Sequence, residues 1–365
     1  MPGADDGPPV ALSMLTRVPD VMGGSESHAR ALTRDLATST TIDGHTLVSR
    51  IARRFNGGIS EGVIDDTTGG PSTRDPFTTV AKAAARTGRI QHRMGRMDVL
   101  HVPFTVPASR PPYSVPLVQT LLNVQHLELA QVFSRAELAY LAYDDGTARR
   151  AEAVVTICGS GKRQVMARVR ADRGRVHGAY LGVDTQRFSP QTVPRDEVVV
   201  YPAREGPHKH HARLVDAIAH LREKRPALSL VVTDGLETLG PQPDRVDARG
   251  LVPGYGPASL CATARRLAFP SLFEGFGPRP LEAMASGCPV EASTVGSIQR
   301  VCGVAAILFD PRDVRAMASA IDLALAAPPA LARSGLERVG EFTWASCAAA
   351  HERVYQSPAA RSSRA

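Results

Sequence analysis

Two carboxylates bracket a glycine-containing loop in the C-terminal half of the chain. Glu274 lies in SLFEGFGP, after an apolar run typical of a strand, and Glu282 follows eight positions later, beyond Pro278, which suits a first helical turn. Such a loop lets backbone N–H groups approach an anion, and a carboxylate accepts hydrogen bonds from a vicinal diol. The segment can therefore hold a phosphate or a sugar hydroxyl. Taken alone, Glu282 could equally be an acid favoured by the helix dipole, and Glu274 a solvated loop residue.

The elements that must position these residues alternate between strand and helix. Helical periodicity is present in Ser25–Leu36, His211–Lys224 and Val314–Ala326. Apolar runs predict strands at Val10–Leu15, Asp98–Pro103, Leu117–Leu122, Ala153–Ile157, Val198–Tyr201, Leu228–Thr233, Arg266–Pro270 and Ala305–Phe309. This alternation predicts parallel sheets in an α/β protein, whose ligands bind at the carboxyl ends of the strands.

The chain length of 365 residues favours two domains. A break with two prolines and no clear periodicity, Arg187–Glu197, separates a first domain over 1–187 from a second over 188–342. Phe55–Arg74 and Pro107–Ser114 are expected to be loops, because they are rich in turn-forming residues. The small, polar tail 358–365 is expected to be disordered.

Composition excludes several classes of protein. The net charge is +7, but arginines are spread along the chain and aromatic residues make up only 5%, so we expect no nucleic-acid partner. Five dispersed cysteines without a CxxC pair argue against a disulfide framework and structural zinc. The sequence contains no basic signal-peptide start and no membrane-length apolar run. We expect a cytoplasmic protein with at most peripheral membrane contact.

The string from Glu274 onward, E-G-F-G-x-x-x-L-E-A-M-A-x-G-x-P-V, resembles the E-x7-E signature of the retaining glycosyltransferases of family four. Further segments resemble motifs of the same family, in the family's order, from about residue 14 to residue 355. They are Met22–His28, Asp98–His101, Leu181–Phe188, Arg204–Leu214 and Phe342–Trp344. The resemblance implies the GT-B fold, with two Rossmann-like parallel-sheet domains facing across a cleft. It also implies a last helix, about 343–357, that packs back on the first domain.

The resemblance also implies roles for the residues that match its motifs. Arg204 and Lys209 would neutralise the donor diphosphate, where charge develops as the leaving group departs. Glu282 would bind the ribose hydroxyls, and Glu274 would bind the transferred sugar. Further donor contacts would come from the backbone of Gly275, Phe276 and Gly277, and from Gly23 and Gly24 of the first domain.

The chain departs from the family pattern at several positions. Leu122 and Asn123 stand where many members have His-Asp, so His126 is our candidate for the missing base. Glu291 replaces a small or apolar residue, and since a buried unpaired carboxylate is costly, we expect it to be paired or at an edge. Arg279 is also unusual and could touch a phosphate or an acidic group.

The sequence thus predicts retaining, metal-independent transfer of a sugar from a nucleotide-diphosphate sugar to an acceptor hydroxyl. The donor is expected to be UDP- or GDP-linked, and no cofactor is expected. The resemblance is to bacterial mannosyl- and glucosyltransferases of polysaccharide or natural-product pathways, so the acceptor could be a saccharide, a natural product or a lipid-linked hydroxyl. The alternative is a degenerate, non-catalytic protein that binds nucleotide sugars.

Overall fold

The chain divides into two compact units of α/β structure. One comprises Met1–Leu181 with Trp344–Ala365, and the other comprises Gly182–Thr343. The computed structural model describes residues 7–15, 23–49, 53–55, 58–64, 91–104, 115–204, 206–233, 244–249, 256–326 and 329–357. Every strand pairing within these residues is parallel, which confirms the predicted fold class.

Each unit is built on one sheet whose strand order reverses near the middle. Within its described residues, the first unit pairs its strands in the order β3-β2-β1-β4-β5-β6-β7, and the second in the order β10-β9-β8-β11-β12-β13. The first sheet consists of β1 (Pro9–Met14), β2 (Asp43–Ser49), β3 (Ser60–Ile64), β4 (Val99–Val102), β5 (Leu117–Leu121), β6 (Ala153–Thr156) and β7 (Val176–Gly178). The second consists of β8 (Asp196–Tyr201), β9 (Ser229–Val232), β10 (Val246–Ala248), β11 (Ala264–Phe269), β12 (Val290–Ser293) and β13 (Ala306–Phe309).

Helices connect the strands and cover the sheets. In chain order they are α1 (Gly24–Leu36), α2 (Arg135–Arg150), α3 (Gly159–Gln164), α4 (His211–Arg222), α5 (Gly256–Thr263), α6 (Pro278–Ala285), α7 (Ile298–Cys302), α8 (Val314–Ala326), α9 (Ala330–Val339) and α10 (Trp344–Tyr355). Single 3-10 turns lie at Gln125–Leu127, Ala130–Val132, Arg173–Arg175, Pro207–Lys209 and Gly303–Ala305, and a π-helical turn lies at Val165–Val169.

No single helix in the described part of the chain has both the length and the apolar character that a membrane crossing needs. One bent pair, Val314–Leu325 with Ala330–Tyr355, meets those requirements only when its two members are taken together.

All eight predicted strands are present, but the sequence missed β2, β3, β7, β10 and β12. The interpretation of Phe55–Arg74 as a loop was wrong for Ser60–Ile64, which forms β3. Among the described residues this strand pairs with β2 alone, and its side chains are largely exposed, so its sequence carries little of the apolar signal that marks a buried strand. Residues 65–74 and 107–114 and the tail 358–365 lie outside the described residues.

The last helix, α10, completes the core of the first unit. The Tyr355 hydroxyl lies 2.8 Å from His101 Nδ1, and His101 Nε2 lies 2.8 Å from the Thr120 hydroxyl. All three residues are buried. His101 therefore links two central strands to the final helix, and both of its ring nitrogens have hydrogen-bond partners.

Glu291 contradicts our expectation that it would be paired or at an edge. It lies on β12, between β11 and β13, and is fully buried. Neither of its carboxyl oxygens has a hydrogen-bond partner, and Arg266, the cation that influences it, donates to the Ala324 carbonyl oxygen instead. Burial raises the pKa of Glu291 well above its ordinary value of 4.5, because desolvation disfavours the charged carboxylate.

This buried acid predicts a pH-dependent stability. Because the pKa of Glu291 is higher in the folded chain than in the unfolded chain, the wild-type protein loses stability as the pH rises from 4.5 towards the raised pKa. Glu291→Gln, which is neutral at every pH, should match the wild type near pH 4.5 and exceed it at pH 8. The difference should grow by up to about 1.4 kcal/mol per pH unit, as measured by urea unfolding.

The matched control is Glu337→Gln, because Glu337 is exposed on α9. This variant should follow the wild type at both pH values. Equal stability of Glu291→Gln and wild type at pH 8 would mean that Glu291 is ionised in the folded protein.

Candidate functional site

The candidate site of the second unit lies where its strand order reverses. Strands β8 and β11 are neighbours, although they are not consecutive in the chain. Connections from two such strands leave the sheet in opposite directions and open a crevice at the carboxyl edge, where ligands of doubly wound sheets bind. The segment with Arg204 and Lys209 follows β8, and the segment with Glu274 follows β11. The topology therefore brings together the residues that the sequence predicted.

Three hydrogen bonds hold these two segments side by side. The Leu272 N–H donates to the His208 carbonyl oxygen, with an N–O distance of 2.7 Å. The buried Tyr201 hydroxyl lies 3.0 Å from both the Lys209 carbonyl oxygen and the Ser271 hydroxyl. Burial, and then the negative charge of Glu274, raise the pKa of Tyr201 well above its ordinary value, so the hydroxyl keeps its proton. These hydrogen bonds fix the backbone that carries Lys209.

Lys209 and Glu274 form an ion pair across the two segments. Only 17% of the Lys209 side chain and 12% of the Glu274 side chain are exposed, so solvent screens their attraction less than it would at an open surface. The Lys209 ammonium also lies 5.8 Å from the centre of the Phe269 ring. The structure therefore brings two predicted site residues into direct contact.

The loop after Glu274 has a backbone conformation that requires glycine at one position. Gly277 has φ +81°, and a Cβ atom there would lie 2.2 Å from Ile298 Cδ1. The Ser297 hydroxyl lies 3.0 Å from the Glu274 carbonyl oxygen and 2.9 Å from that of Phe276. These contacts fix the loop whose backbone was predicted to face the donor.

Phe276 is buried, and its ring packs edge-on against Phe342, with 5.8 Å between ring centres. Its side chain belongs to the core, so only its backbone can face a ligand. Gly275, next to it, is partly exposed. The contribution of Gly275 and Phe276 backbone atoms to donor binding stays a prediction.

Glu282 lies in the first turns of α6 and pairs with Arg279, one turn earlier. Arg279 Nη1 donates to Glu282 Oε2 over 2.5 Å. The Glu282 carboxylate is the main influence on Arg279 and raises the pKa of the guanidinium. Arg279, which the sequence marked only as unusual, therefore has an acidic partner within the predicted ribose site.

Arg204 lies just beyond β8 and is exposed. His208 is half-buried, and burial, followed by the charge of Lys209, lowers its pKa to about 4. It is therefore neutral near pH 7. His210 Nδ1 lies 3.1 Å from the Pro311 carbonyl oxygen, and the His211 ring packs on Tyr201. Within the described ranges, no group of three or more His, Cys, Asp or Glu side chains could hold a metal ion.

In the first unit, Gly23 and Gly24 lie at the start of α1, after β1 and the undescribed residues 16–22. Strand β1 is also at a reversal of strand order, beside β4. Gly23 has φ +54°, and a Cβ atom on Gly24 would meet no atom within 4 Å. An open backbone at a helix N-terminus can approach an anion closely. The donor-binding role of these glycines stays a prediction.

His126 is buried in the first unit, next to α2. Its Nε2 lies 3.0 Å from Asp145 Oδ2, and its Nδ1 is buried without a hydrogen-bond partner. Neither nitrogen is therefore open to solvent in this structure. Leu122 is buried, and Asn123 is exposed with its side-chain oxygen accepting from the Gln125 N–H. A role for His126 as a base stays a prediction, and it would require the side chain to become accessible.

The structure adds Tyr201, Ser271 and Ser297 to the site as supports of its loops. Sequence reasoning missed them because each acts on a segment far along the chain, and a lone hydroxyl in an apolar strand or a turn has no distinctive spacing. Their hydroxyls hold the backbone of the segments that carry Lys209 and Glu274.

Residues 196–327 match the family described as Glycosyl transferases group 1. The match begins at β8 and runs through α8, so it contains the whole cluster from Arg204 to Glu282.

Among characterised proteins, the chain is 30% identical over 231 residues to the MMP alpha-(1->4)-mannosyltransferase of Mycolicibacterium hassiacum, covering 59% of this chain and 56% of that protein. It is 28% identical over 326 residues to the D-inositol 3-phosphate glycosyltransferase of Geodermatophilus obscurus, covering 78% and 72%. A shorter match, 40% over 102 residues, is to O-antigen chain mannosyltransferase B of Escherichia coli and covers 27% and 26%. The chain thus spans about half the length of the first of these relatives and about a quarter of the last.

Solved structures share the whole fold. Sucrose-phosphate synthase of Thermosynechococcus elongatus superposes with a TM-score of 0.75 at 20% identity, covering 96% of this chain and 98% of that one. Anabaena Alr3699/HepE, in complex with UDP and glucose, gives 0.71 at 16% identity, with 94% and 97% covered. WaaG, a glycosyltransferase of lipopolysaccharide biosynthesis, gives 0.70 at 15% identity, with 95% and 99% covered. The chain has the GT-B fold, its residues 196–327 match the glycosyl transferases group 1 family, and it is similar in sequence to bacterial mannosyltransferases and inositol-phosphate glycosyltransferases.

Proposed function

We propose that the protein is a retaining, metal-independent glycosyltransferase that moves a sugar from a nucleoside-diphosphate sugar to an acceptor hydroxyl. The observation that carries the proposal is the ion pair of Lys209 and Glu274 at the strand reversal between β8 and β11. It joins the cation proposed for the diphosphate to the carboxylate proposed for the sugar. The family match over residues 196–327 supports the same activity.

The reaction needs positive charge where the leaving group departs. As the glycosidic bond breaks, negative charge develops on the β-phosphate of the nucleoside diphosphate. Lys209, whose carbonyl oxygen accepts a hydrogen bond from Tyr201, would meet that charge, and Arg204 after the same strand would offer a planar guanidinium to the phosphate oxygens. These two cations would supply the charge stabilisation that a metal ion supplies in other transferases.

Donor binding would then exchange partners rather than fill an unpaired site. The Lys209 ammonium is neutralised by Glu274. When a diphosphate takes Lys209, the Glu274 carboxylate is released to accept hydrogen bonds from the sugar hydroxyls. Departure of the leaving group on the side where the acceptor enters would retain the configuration without a protein nucleophile.

The nucleoside is proposed to be uridine or guanosine, with Glu282 at the ribose. The HepE structure contains UDP and glucose, which supports a uridine-linked donor for a protein of this fold. The backbone of Gly23 and Gly24 in the first unit is proposed as a further contact to the donor. The acceptor is proposed to be a saccharide, a natural product or a lipid-linked hydroxyl. We propose no cofactor, no nucleic-acid partner and at most peripheral membrane contact.

A second candidate function is a non-catalytic protein that binds nucleotide sugars. It is favoured by the burial of His126 and by the presence of Leu122 and Asn123 where related enzymes carry His-Asp. Such a protein would bind the donor without ever transferring its sugar.

The first experiment measures release of nucleoside diphosphate from UDP- and GDP-linked glucose and mannose. The wild type should hydrolyse one donor slowly, with retained anomeric configuration, as followed by NMR. Lys209→Ala should lower the rate by about 100-fold, because one preorganised charge at the leaving group is lost.

Lys224→Ala is the matched control for that experiment, since Lys224 is an exposed lysine of the same unit, just after α4. It should leave the rate unchanged. Donor binding without hydrolysis, and without transfer to any acceptor tried, would instead identify the non-catalytic binder.

Glu274→Gln tests the exchange of partners. Removing the carboxylate charge frees Lys209, so the affinity for the nucleoside diphosphate alone should stay equal or rise severalfold. Hydrolysis of the nucleotide sugar should fall by about tenfold or more, because a charged acceptor of sugar hydroxyls is lost. Calorimetry gives the first quantity and product release the second. Loss of both together would mean that Glu274 serves the diphosphate rather than the sugar.

A further inference from the structure

The first turn of α6 has few backbone donors for an anion. Pro278 and Pro280 have no N–H group, so among the first three residues of the helix only Arg279 contributes one. Helix N-termini usually bind anions through these free N–H groups. Recognition at this turn must therefore rely on side chains, and Arg279 and Glu282 are the charged ones.

The Arg279–Glu282 pair uses only part of its hydrogen-bonding capacity. Arg279 Nη1 donates to Glu282 Oε2. In the described part of the chain, the remaining guanidinium N–H groups and Glu282 Oε1 make no further hydrogen bond. Both side chains are partly exposed, at 36% and 17%. The pair thus presents free donors beside a free acceptor.

We propose that Arg279 and Glu282 together read the ribose of the donor nucleoside, with Arg279 as a specificity-determining residue. The inference rests on the proposed function and adds a second residue to its ribose site. A vicinal diol matches the pair, because one hydroxyl can donate to Glu282 Oε1 while the oxygen of the other accepts from the Arg279 guanidinium.

Arginine suits this place for a physical reason. Its planar guanidinium can donate from one nitrogen to the carboxylate and from another to a ligand, and it stays charged at every relevant pH. Between residues three positions apart on a helix, the same contact holds the Glu282 side chain in one orientation before the ligand arrives. Without Arg279 the carboxylate would lose both its orienting partner and the adjacent donors.

Calorimetry with UDP and GDP, each beside its 2′-deoxyribose counterpart, tests the proposal in the full chain. The wild type should bind the ribose form of its preferred nucleotide about tenfold more tightly than the deoxyribose form. In Arg279→Ala, affinity for the ribose form should fall about tenfold while affinity for the deoxyribose form changes little. The ratio of the two affinities, ribose form to deoxyribose form, should thus approach one. Arg279→Lys, which keeps the positive charge on a single ammonium group, should retain part of the preference for ribose.

Arg265→Ala is the matched control, because Arg265 pairs with Glu197 at similar exposure at the opposite, amino-terminal edge of the same sheet. It should keep the full ribose preference. An equal loss of affinity for both sugar forms in Arg279→Ala would overturn the ribose proposal, and so would a wild type without a ribose preference. Either result would leave the proposed function standing. Failure of the wild type to bind either nucleoside diphosphate would instead overturn the proposed function, and the ribose site with it.

Discussion

The chemistry of the second unit depends on the parallel pairing of β8 with β11. Leu267 of β11 lies in register with Val200 of β8, so the two strands end beside one another. Because the chain leaves them in opposite directions, nothing in the sheet order separates the two segments that follow. In the segments that follow these strands, the Leu272 N–H donates a hydrogen bond to the His208 carbonyl oxygen. The ion pair of Lys209 and Glu274 joins the two segments that follow the paired strands.

Four charged side chains of the site neutralise one another in two pairs. Lys209 is paired with Glu274, and Arg279 with Glu282, so each of these four groups has a partner of opposite sign. This arrangement avoids the cost of a half-buried, uncompensated charge. Under the proposed function, a diphosphate would replace Glu274 as the partner of Lys209, whereas the Arg279–Glu282 pair would stay together and bind a diol.

The loop after β11 was predictable because its signals are local: an apolar strand, glycines, and prolines at a helix start. Its supports were not, because Tyr201 and Ser271 meet only through strands that are distant in sequence. The sequence likewise predicted His126 as a candidate base, but it did not reveal Asp145, which α2 brings to it from 19 residues away. Glu291 was misjudged for the opposite reason, since we assumed that a buried acid needs a partner, and protonation removes that need.

The last helix gives the chain an unusual order of assembly. Tyr355 contacts His101 across 254 residues of sequence, and the whole second unit lies between them. During synthesis the residues of the second unit leave the ribosome before α10 does, so that unit can fold while the first still lacks a core helix. The first unit, although made first, must keep apolar surface uncovered until α10 arrives. On the ribosome, the second unit can therefore complete its fold before the first unit does. Chaperones that shield exposed apolar surface would be needed most by the first unit, although most of it is synthesised first.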